Sequence, residues 1–290
     1  MEANSTRIGF IGTGVMGKSM ASHIQQGGYE LHIYTRTKSK AEELVEQGMI
    51  WHDEPSDLAP LCDIIITMVG YPSDVEELYL GEKGLVHTAK SGSYLIDMTT
   101  SSPVLAVRIY EEAKARGLHA IDAPVSGGDV GARNAALSIM AGGDREAFEA
   151  VLPILERMGK QILLQGGPGA GQHTKMANQI AIASNMIGVC EALVYARNAG
   201  LDLDAVLQSI GTGAAGSWSL SNLAPRMIAG NFEPGFYVKH FIKDMGIALA
   251  SAREMGIELP GLALAKELYG RIADAGLADK GTHALYKAWD

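Results

Sequence analysis

Apolar and polar positions along the chain keep two different rhythms, and the change falls near residue 168. Before it, short apolar runs alternate with stretches of helical spacing, which predicts strands joined by crossover helices. Residues 7–11, 31–35, 49–51, 63–68, 94–97, 119–123, 137–141 and 161–164 read as strands. The run 63–68 is a continuous, largely β-branched stretch, the look of a central parallel strand buried on both faces. Helical spacing covers 15–26, where Met16, Met20 and Ile24 recur every fourth residue, and also 40–47 and 145–158. Gly166-Gly167-Pro168-Gly169 is the clearest breaker cluster. Beyond it the patterns are helical: 172–198, 203–210, 219–229, 238–255, 260–274 and 284–289. The expectation is an α/β domain over residues 1–168 and an all-α domain over 169–290. A helix over 172–198 joins them and spans about 40 Å at 1.5 Å per residue.

Gly12-Thr13-Gly14-Val15-Met16-Gly17 lies between the first strand and the first helix. This is the context that a G-x-G-x-x-G dinucleotide fingerprint requires. Gly12 permits the tight turn, Gly14 lets backbone approach a pyrophosphate, and Gly17 lets the helix pack close to the strand. The helix N-terminus then turns its unpaired N–H groups toward phosphate. An NAD site usually has an acid at the end of the second strand, but here the chain reads Tyr34-Thr35-Arg36-Thr37-Lys38. Arg36 can pair with a 2′-phosphate and Thr37 can donate a hydroxyl, whereas an unphosphorylated ribose leaves Arg36 without an anionic partner. NADP is therefore expected over NAD, with NAD still possible.

Other loops fall at strand ends, where α/β sheets bind ligands: Val69-Gly70-Tyr71-Pro72 and Thr99-Thr100-Ser101-Ser102-Pro103. The hydroxyls of the second loop fit a nicotinamide or ribose, and they fit a Ser/Thr helix cap with Pro103 in the first turn equally well. Ser126, Gly127 and Gly128 offer a hydroxyl and unhindered N–H groups for a carboxylate, or form a plain turn. In Gly169-Ala170-Gly171-Gln172-His173-Thr174-Lys175-Met176-Ala177-Asn178, Lys175 and Asn178 share a helix face, and the glycines leave room for a ligand or a backbone. The bland alternative is a helix start with a solvated lysine.

Net charge and composition narrow the partners. A net charge of −9 argues against nucleic acid or an anionic membrane as the main partner. Cys62 and Cys190 lie far apart and read as buried thiols in a reducing compartment. Met1 to Thr6 has neither a basic nor an apolar signal region, and the densest apolar run, 64–69, is too short for a bilayer, so the cytoplasm is expected. No His/Cys/Asp cluster has metal-ligand spacing, so no metal is expected.

Hydride chemistry on a dinucleotide needs a proton donor at the reacting oxygen. Lys175 fits better than His173 or His240: near a cationic nicotinamide and Lys243, and partly desolvated, its pKa would fall toward neutrality. Asn178 could orient it or bond the same substrate hydroxyl, and Lys243 could pair with a substrate carboxylate or a cofactor phosphate.

Blocks from the whole chain carry a resemblance: residues 9–17, Asp122-Ala123-Pro124-Val125-Ser126-Gly127-Gly128, Gly169 through Asn178, and Lys243-Asp244. In order and spacing the chain resembles the β-hydroxyacid dehydrogenase family, which includes 3-hydroxyisobutyrate dehydrogenase, tartronate semialdehyde reductase and glyoxylate/succinic semialdehyde reductases. The wording of residues 34–37 and 217–220 is most like the uncharacterised bacillary oxidoreductases of that family. The resemblance implies a Rossmann-type doubly wound sheet with a second, all-α domain. It implies Lys175 as acid/base with Asn178 as partner, and Ser126, Gly127 and Gly128 on the substrate carboxylate. It further implies Gly12, Thr13, Gly14, Val15, Met16, Gly17, Arg36, Thr37, Thr100 and Lys243 at the cofactor, with Met68, Val69 and Gly70 lining its pocket. Thr99-Thr100 stands where relatives usually have Ser-Thr.

The expected function is hydride transfer between NADP(H) and a small 3-hydroxy acid or its semialdehyde. An imine reductase-like enzyme is disfavoured because such members commonly replace the lysine present here. A non-catalytic NADPH-binding sensor is the rival from another class. The apolar long helix leads to an expected homodimer or homotetramer.

Overall fold

The computed structural model describes residues 5–290. Residues 1–4, part of the stretch read above as lacking a targeting signal, lie outside the described residues. The chain divides into two compact units, Met1–Lys175 and Met176–Asp290.

Among the described residues the first unit holds a nine-stranded sheet. Its strands are β1 (Arg7–Ile11), β2 (Glu30–Tyr34), β3 (Ile50–Trp51), β4 (Ile64–Thr67), β5 (Tyr94–Asp97), β6 (His119–Asp122), β7 (Val125–Ser126), β8 (Leu137–Gly142) and β9 (Gly159–Gly166). They lie in the order β3-β2-β1-β4-β5-β6-β8-β7, with β9 also on β8. From β3 to β6 the pairing is parallel, whereas β8 runs antiparallel to β6 and β7. The sheet is therefore mixed. The order reverses between β1 and β4, which opens a crevice at the carboxyl ends of those strands.

Alternation explains how the sheet is covered. In β4, Ile64 and Ile66 join one apolar core with Phe10, Met20, Ile24 and Ile33. Ile65 joins another with Leu58, Val75, Tyr79 and Leu95. All three isoleucines are wholly buried, as the continuous apolar run of a central strand predicts.

Several elements depart from the sequence reading. Helices Pro55–Leu58, Pro72–Leu80 and Leu85–Thr88 occupy stretches that the apolar spacing did not mark. Pro55 and Pro72 sit in the first turn, where their missing N–H costs nothing. Ser126, Gly127 and Gly128, read as a carboxylate site or a plain turn, join β7 to the short helix Gly128–Arg133. The helix expected over 219–229 is split at Leu223 into Trp218–Asn222 and Ala224–Ile228, with Pro225 opening the second piece.

In the second unit, Met176, Ala183, Ile187, Cys190 and Leu193 of the long helix Ala170–Asn198 pack with Phe241, Met245 and Ala248 of Val238–Glu254 and with Leu262, Ala265 and Tyr269 of Pro260–Ile272. By length and composition the long helix is apolar enough to cross a membrane, a property that the short dense runs of the sequence concealed. Here its apolar residues serve the helical core. Both cysteines are buried, and burial pushes the Cys62 thiol up to about 12, so neither has thiolate character.

Candidate active site

The turn between β1 and the helix Gly17–Gln26 shows why each glycine is needed. A Cβ on Gly12 (φ +100°) would lie 2.1 Å from the Met68 carbonyl oxygen, and one on Gly17 would lie 2.0 Å from the Gly12 carbonyl oxygen. Both places are filled by the protein's own backbone. A Cβ on Gly14 would meet nothing within 4 Å among the described residues. That opening fits a group that must approach backbone closely, as a pyrophosphate does. Thr13 is buried, yet its hydroxyl has no hydrogen-bond partner among the described residues. Helix Gly17–Gln26 carries no acid in its first turn, which leaves its positive end available to an anion. Val15 is exposed and Met16 half-buried beside this turn.

One row of residues crosses the carboxyl edge of the sheet: Tyr34, Ile11, Thr67, Asp97 and Asp122 stand opposite one another in successive strands. The Thr67 hydroxyl donates to Asp97 Oδ1 at 2.9 Å, and the Thr99 N–H donates to the same oxygen at 3.0 Å. Thr99 Oγ1 accepts from the Val69 N–H at 3.0 Å, so the loops after β4 and β5 are tied together. Met68, Val69 and Gly70 are all half-buried, with Met68 and Val69 against Gly12. Of the hydroxyls that fit either a ligand or a cap, Ser102 does cap the helix Pro103–Lys114, accepting from the Leu105 N–H at 3.4 Å. Thr100 is half-buried between its two engaged neighbours. The Ser101 hydroxyl is buried without a hydrogen-bond partner among the described residues.

The start of the long helix is fixed by residues that sequence reasoning did not single out. Asp122, at the end of β6, accepts from the Gly169 N–H and the Gln172 N–H, each at 2.8 Å. A carboxylate from a distant strand thus caps the helix. Burial pushes the Asp122 carboxyl up to about 6, against the opposing pull of those N–H donors. The room at Gly171 is taken by backbone: a Cβ there would lie 2.3 Å from the Met140 carbonyl oxygen and 2.6 Å from that of Asp122. Gln172 is wholly buried and reaches back to the loop after β5. One turn on, Lys175 is only 6% exposed, so the solvated-lysine alternative fails. His173 is exposed.

Ser126 closes β7 opposite Ser138 of β8 and is half-buried. Gly127 (φ +126°) and Gly128 (φ +61°) then turn the chain into helix Gly128–Arg133. The region is a strand end followed by a left-handed turn, with Gly127 exposed.

Contrary to the expectation from sequence, Arg36 does not depend on a 2′-phosphate for an anionic partner. Arg36 has an anionic partner of its own chain, Asp74 Oδ1 at 3.5 Å, although the arginine side chain stays 78% exposed. Such an exposed pair is weak, and a phosphate would displace it readily. Thr37 precedes a single 3₁₀ turn and makes no side-chain cap.

Within the helical unit, the Asn178 amide donates to Gln179 Oε1 at 2.7 Å and Gln179 Nε2 donates to Asp244 Oδ2 at 2.6 Å. Asp244 Oδ1 lies 2.9 Å from Lys243 Nζ, an ion pair without hydrogen-bond alignment. Burial, then Lys243 and Lys239, hold the His240 imidazole below its usual pKa, which favours its neutral form. Among the described residues no group of three or more His, Cys, Asp or Glu could hold a metal ion.

Comparison with known proteins gives this geometry its context. Residues 7–167 match the NAD-binding domain of 6-phosphogluconate dehydrogenase, and residues 169–289 match the NAD-binding region of NADP-dependent 3-hydroxyisobutyrate dehydrogenase. The chain belongs to the 3-hydroxyisobutyrate dehydrogenase-like family. It is 63% identical to the uncharacterised oxidoreductase YkwC of Bacillus subtilis (strain 168), over 97% of this chain and 98% of that protein. It is 39% identical to 2-hydroxy-3-oxopropionate reductase of Escherichia coli (strain K12), over 97% of this chain and 96% of that protein. The structure of Mycobacterium tuberculosis 3-hydroxyisobutyrate dehydrogenase with L-serine superposes with a TM-score of 0.89 at 28% identity, covering 97% of this chain and 98% of that one. The protein is thus an NAD(P)-dependent oxidoreductase of this family, with the family's α/β unit and all-helical unit.

Proposed function

We propose that the protein transfers hydride between NADP(H) and a small 3-hydroxy acid or its semialdehyde, with Lys175 as the acid/base. The observation that carries this reading is a buried lysine one turn past a helix start that is bonded to the carboxyl edge of a dinucleotide-type sheet. When bound, the nicotinamide supplies or accepts the hydride. In the reducing direction Lys175 gives a proton to the aldehyde oxygen as the carbonyl becomes an alcohol; in the oxidising direction it takes that proton back. Ser126, Gly127 and Gly128 hold the substrate carboxylate by hydroxyl and backbone N–H donors. Gly12 to Gly17 receive the pyrophosphate, Met68, Val69, Gly70 and Thr100 line the cofactor pocket, and Arg36 with Thr37 takes the 2′-phosphate.

The test is oxidation of NADPH and of NADH against glyoxylate and succinic, tartronate and methylmalonate semialdehydes, by the wild type and Lys175→Ala. The variant should lose kcat by about 10²–10⁴-fold, the usual worth of a positioned acid/base, while NADPH binding persists. Near-normal turnover by Lys175→Ala would sink the assignment. Tight NADPH binding by a wild type that reduces none of the four would favour a sensor.

A further inference from the structure

Thr99, Ser101, Gln172 and Lys175 belong to one compact unit. The carboxamide of Gln172 straddles Thr100: its Oε1 accepts from the Ser101 N–H at 2.9 Å, and its Nε2 donates to the Thr99 carbonyl at 2.7 Å. The backbone N–H of the same residue donates to Asp122. Gln172 is wholly buried, and both ends of its side chain are satisfied by backbone, so it has one strongly preferred orientation. Thr99 in turn holds Val69, whose side chain lies beside the place where a Cβ on Gly12 would stand. A continuous set of contacts therefore runs from the glycine turn through the loops after β4 and β5 to the turn that precedes Lys175.

We propose that Gln172 is a positioning residue that locks the loop around Thr100 to the helical turn carrying Lys175, so that cofactor and proton donor are held in one register. This rests on the hydride-transfer reading given above. Gln172 touches neither reacting atom; it acts by fixing the backbone on both sides. A helix turn displaced by about 1 Å at such an alignment loses on the order of 10²-fold in rate.

Two variants test this. Gln172→Met keeps the volume and removes both bonds. Gln172→Glu removes the donor while ionised, but when protonated its O–H can donate to the Thr99 carbonyl and its C=O can accept from the Ser101 N–H. Asp97 and Asp122 face this site from β5 and β6, and Lys175 lies on the same helix, so the pH profile is read as the ratio of variant to wild-type kcat. Gln172→Met should lose kcat by about 100-fold at every pH while NADPH affinity, measured by fluorescence, changes less than about fivefold. Gln172→Glu should match it at pH 8 and recover toward wild type as the pH falls to 6. A Gln172→Glu ratio flat with pH, or Gln172→Met turnover within about threefold of wild type, overturns the proposal. A wild type that turns over no semialdehyde defeats the hydride-transfer reading instead. The lock is then judged by hydrogen exchange at the Ser101 amide, which should quicken at least tenfold in Gln172→Met; unchanged exchange overturns it.

Discussion

Replacing Gly14 by alanine separates a glycine needed by a ligand from one needed by the fold. An added Cβ meets no atom within 4 Å, and Gly14 does not lie in the left-handed region, so the free protein accepts alanine without strain. Its stability should be unchanged or should rise by about 0.4–1 kcal/mol, because the unfolded chain loses freedom. The loss should appear only when a pyrophosphate needs the same space. NADPH at 100 times its Kd stabilises a protein by about 2.7 kcal/mol. A tenfold weaker Kd at the same concentration leaves about 1.4 kcal/mol. Gly17→Ala is the contrast: its Cβ would sit 2.0 Å from a backbone oxygen that cannot yield, and overpacking of that kind costs about 1–3 kcal/mol or more. Thermal melts of wild type, Gly14→Ala and Gly17→Ala, each with and without NADPH, read both effects. At about 2–4 °C per kcal/mol, Gly17→Ala should melt several degrees lower without ligand, while Gly14→Ala melts with the wild type and gains visibly less from NADPH. The reasoning fails if Gly14→Ala keeps the full NADPH shift, or if it melts as low as Gly17→Ala without ligand.

Two further outcomes can be checked. Arg36→Ala should lose NADPH affinity much more than NADH affinity, since the arginine gives up only the weak Asp74 pair to meet a 2′-phosphate; equal losses would remove the case for NADP. The Asp122 carboxyl is held up to about 6, so its contribution to stability is full below the usual carboxylate range and is lost as pH rises through 6. Urea unfolding at pH 4 and pH 7 should show wild type losing roughly 2 kcal/mol relative to Asp122→Asn between those values, and parallel curves would contradict that burial effect.

What could be read from the sequence divides by distance along the chain. The strand, glycine turn and helix of residues 7–26 announce themselves because their signal, a glycine spacing followed by an apolar helical repeat, is local in the sequence. The strand Tyr94–Asp97 and the helix Leu203–Ile210 fall where apolar spacing places them. The short helices after Pro55 and Pro72 carried a usable signal, proline in a first turn, but too few residues for a periodic apolar face. Gln172 and Asp122 were invisible as an arrangement: their partners lie 47 to 73 residues away, and neither side chain has a property that announces its partners. Asp74 beside Arg36 was missed for the same reason, at a separation of 38 residues.

The bonds made by Gly169 and Gln172 also bear on how the chain can be divided. A cut after Pro168 falls at the obvious punctuation, yet it would remove the Gly169 and Gln172 partners of the Asp122 carboxylate, the Thr99 carbonyl and the Ser101 N–H. Each lost hydrogen bond costs about 0.5–1.5 kcal/mol, enough together to weaken a marginal fold. A fragment carried on to Lys175 retains every one of those partners. Any swap of modules between relatives would have to move the first turn of the long helix together with the sheet, because that turn is the sheet's last inherited piece.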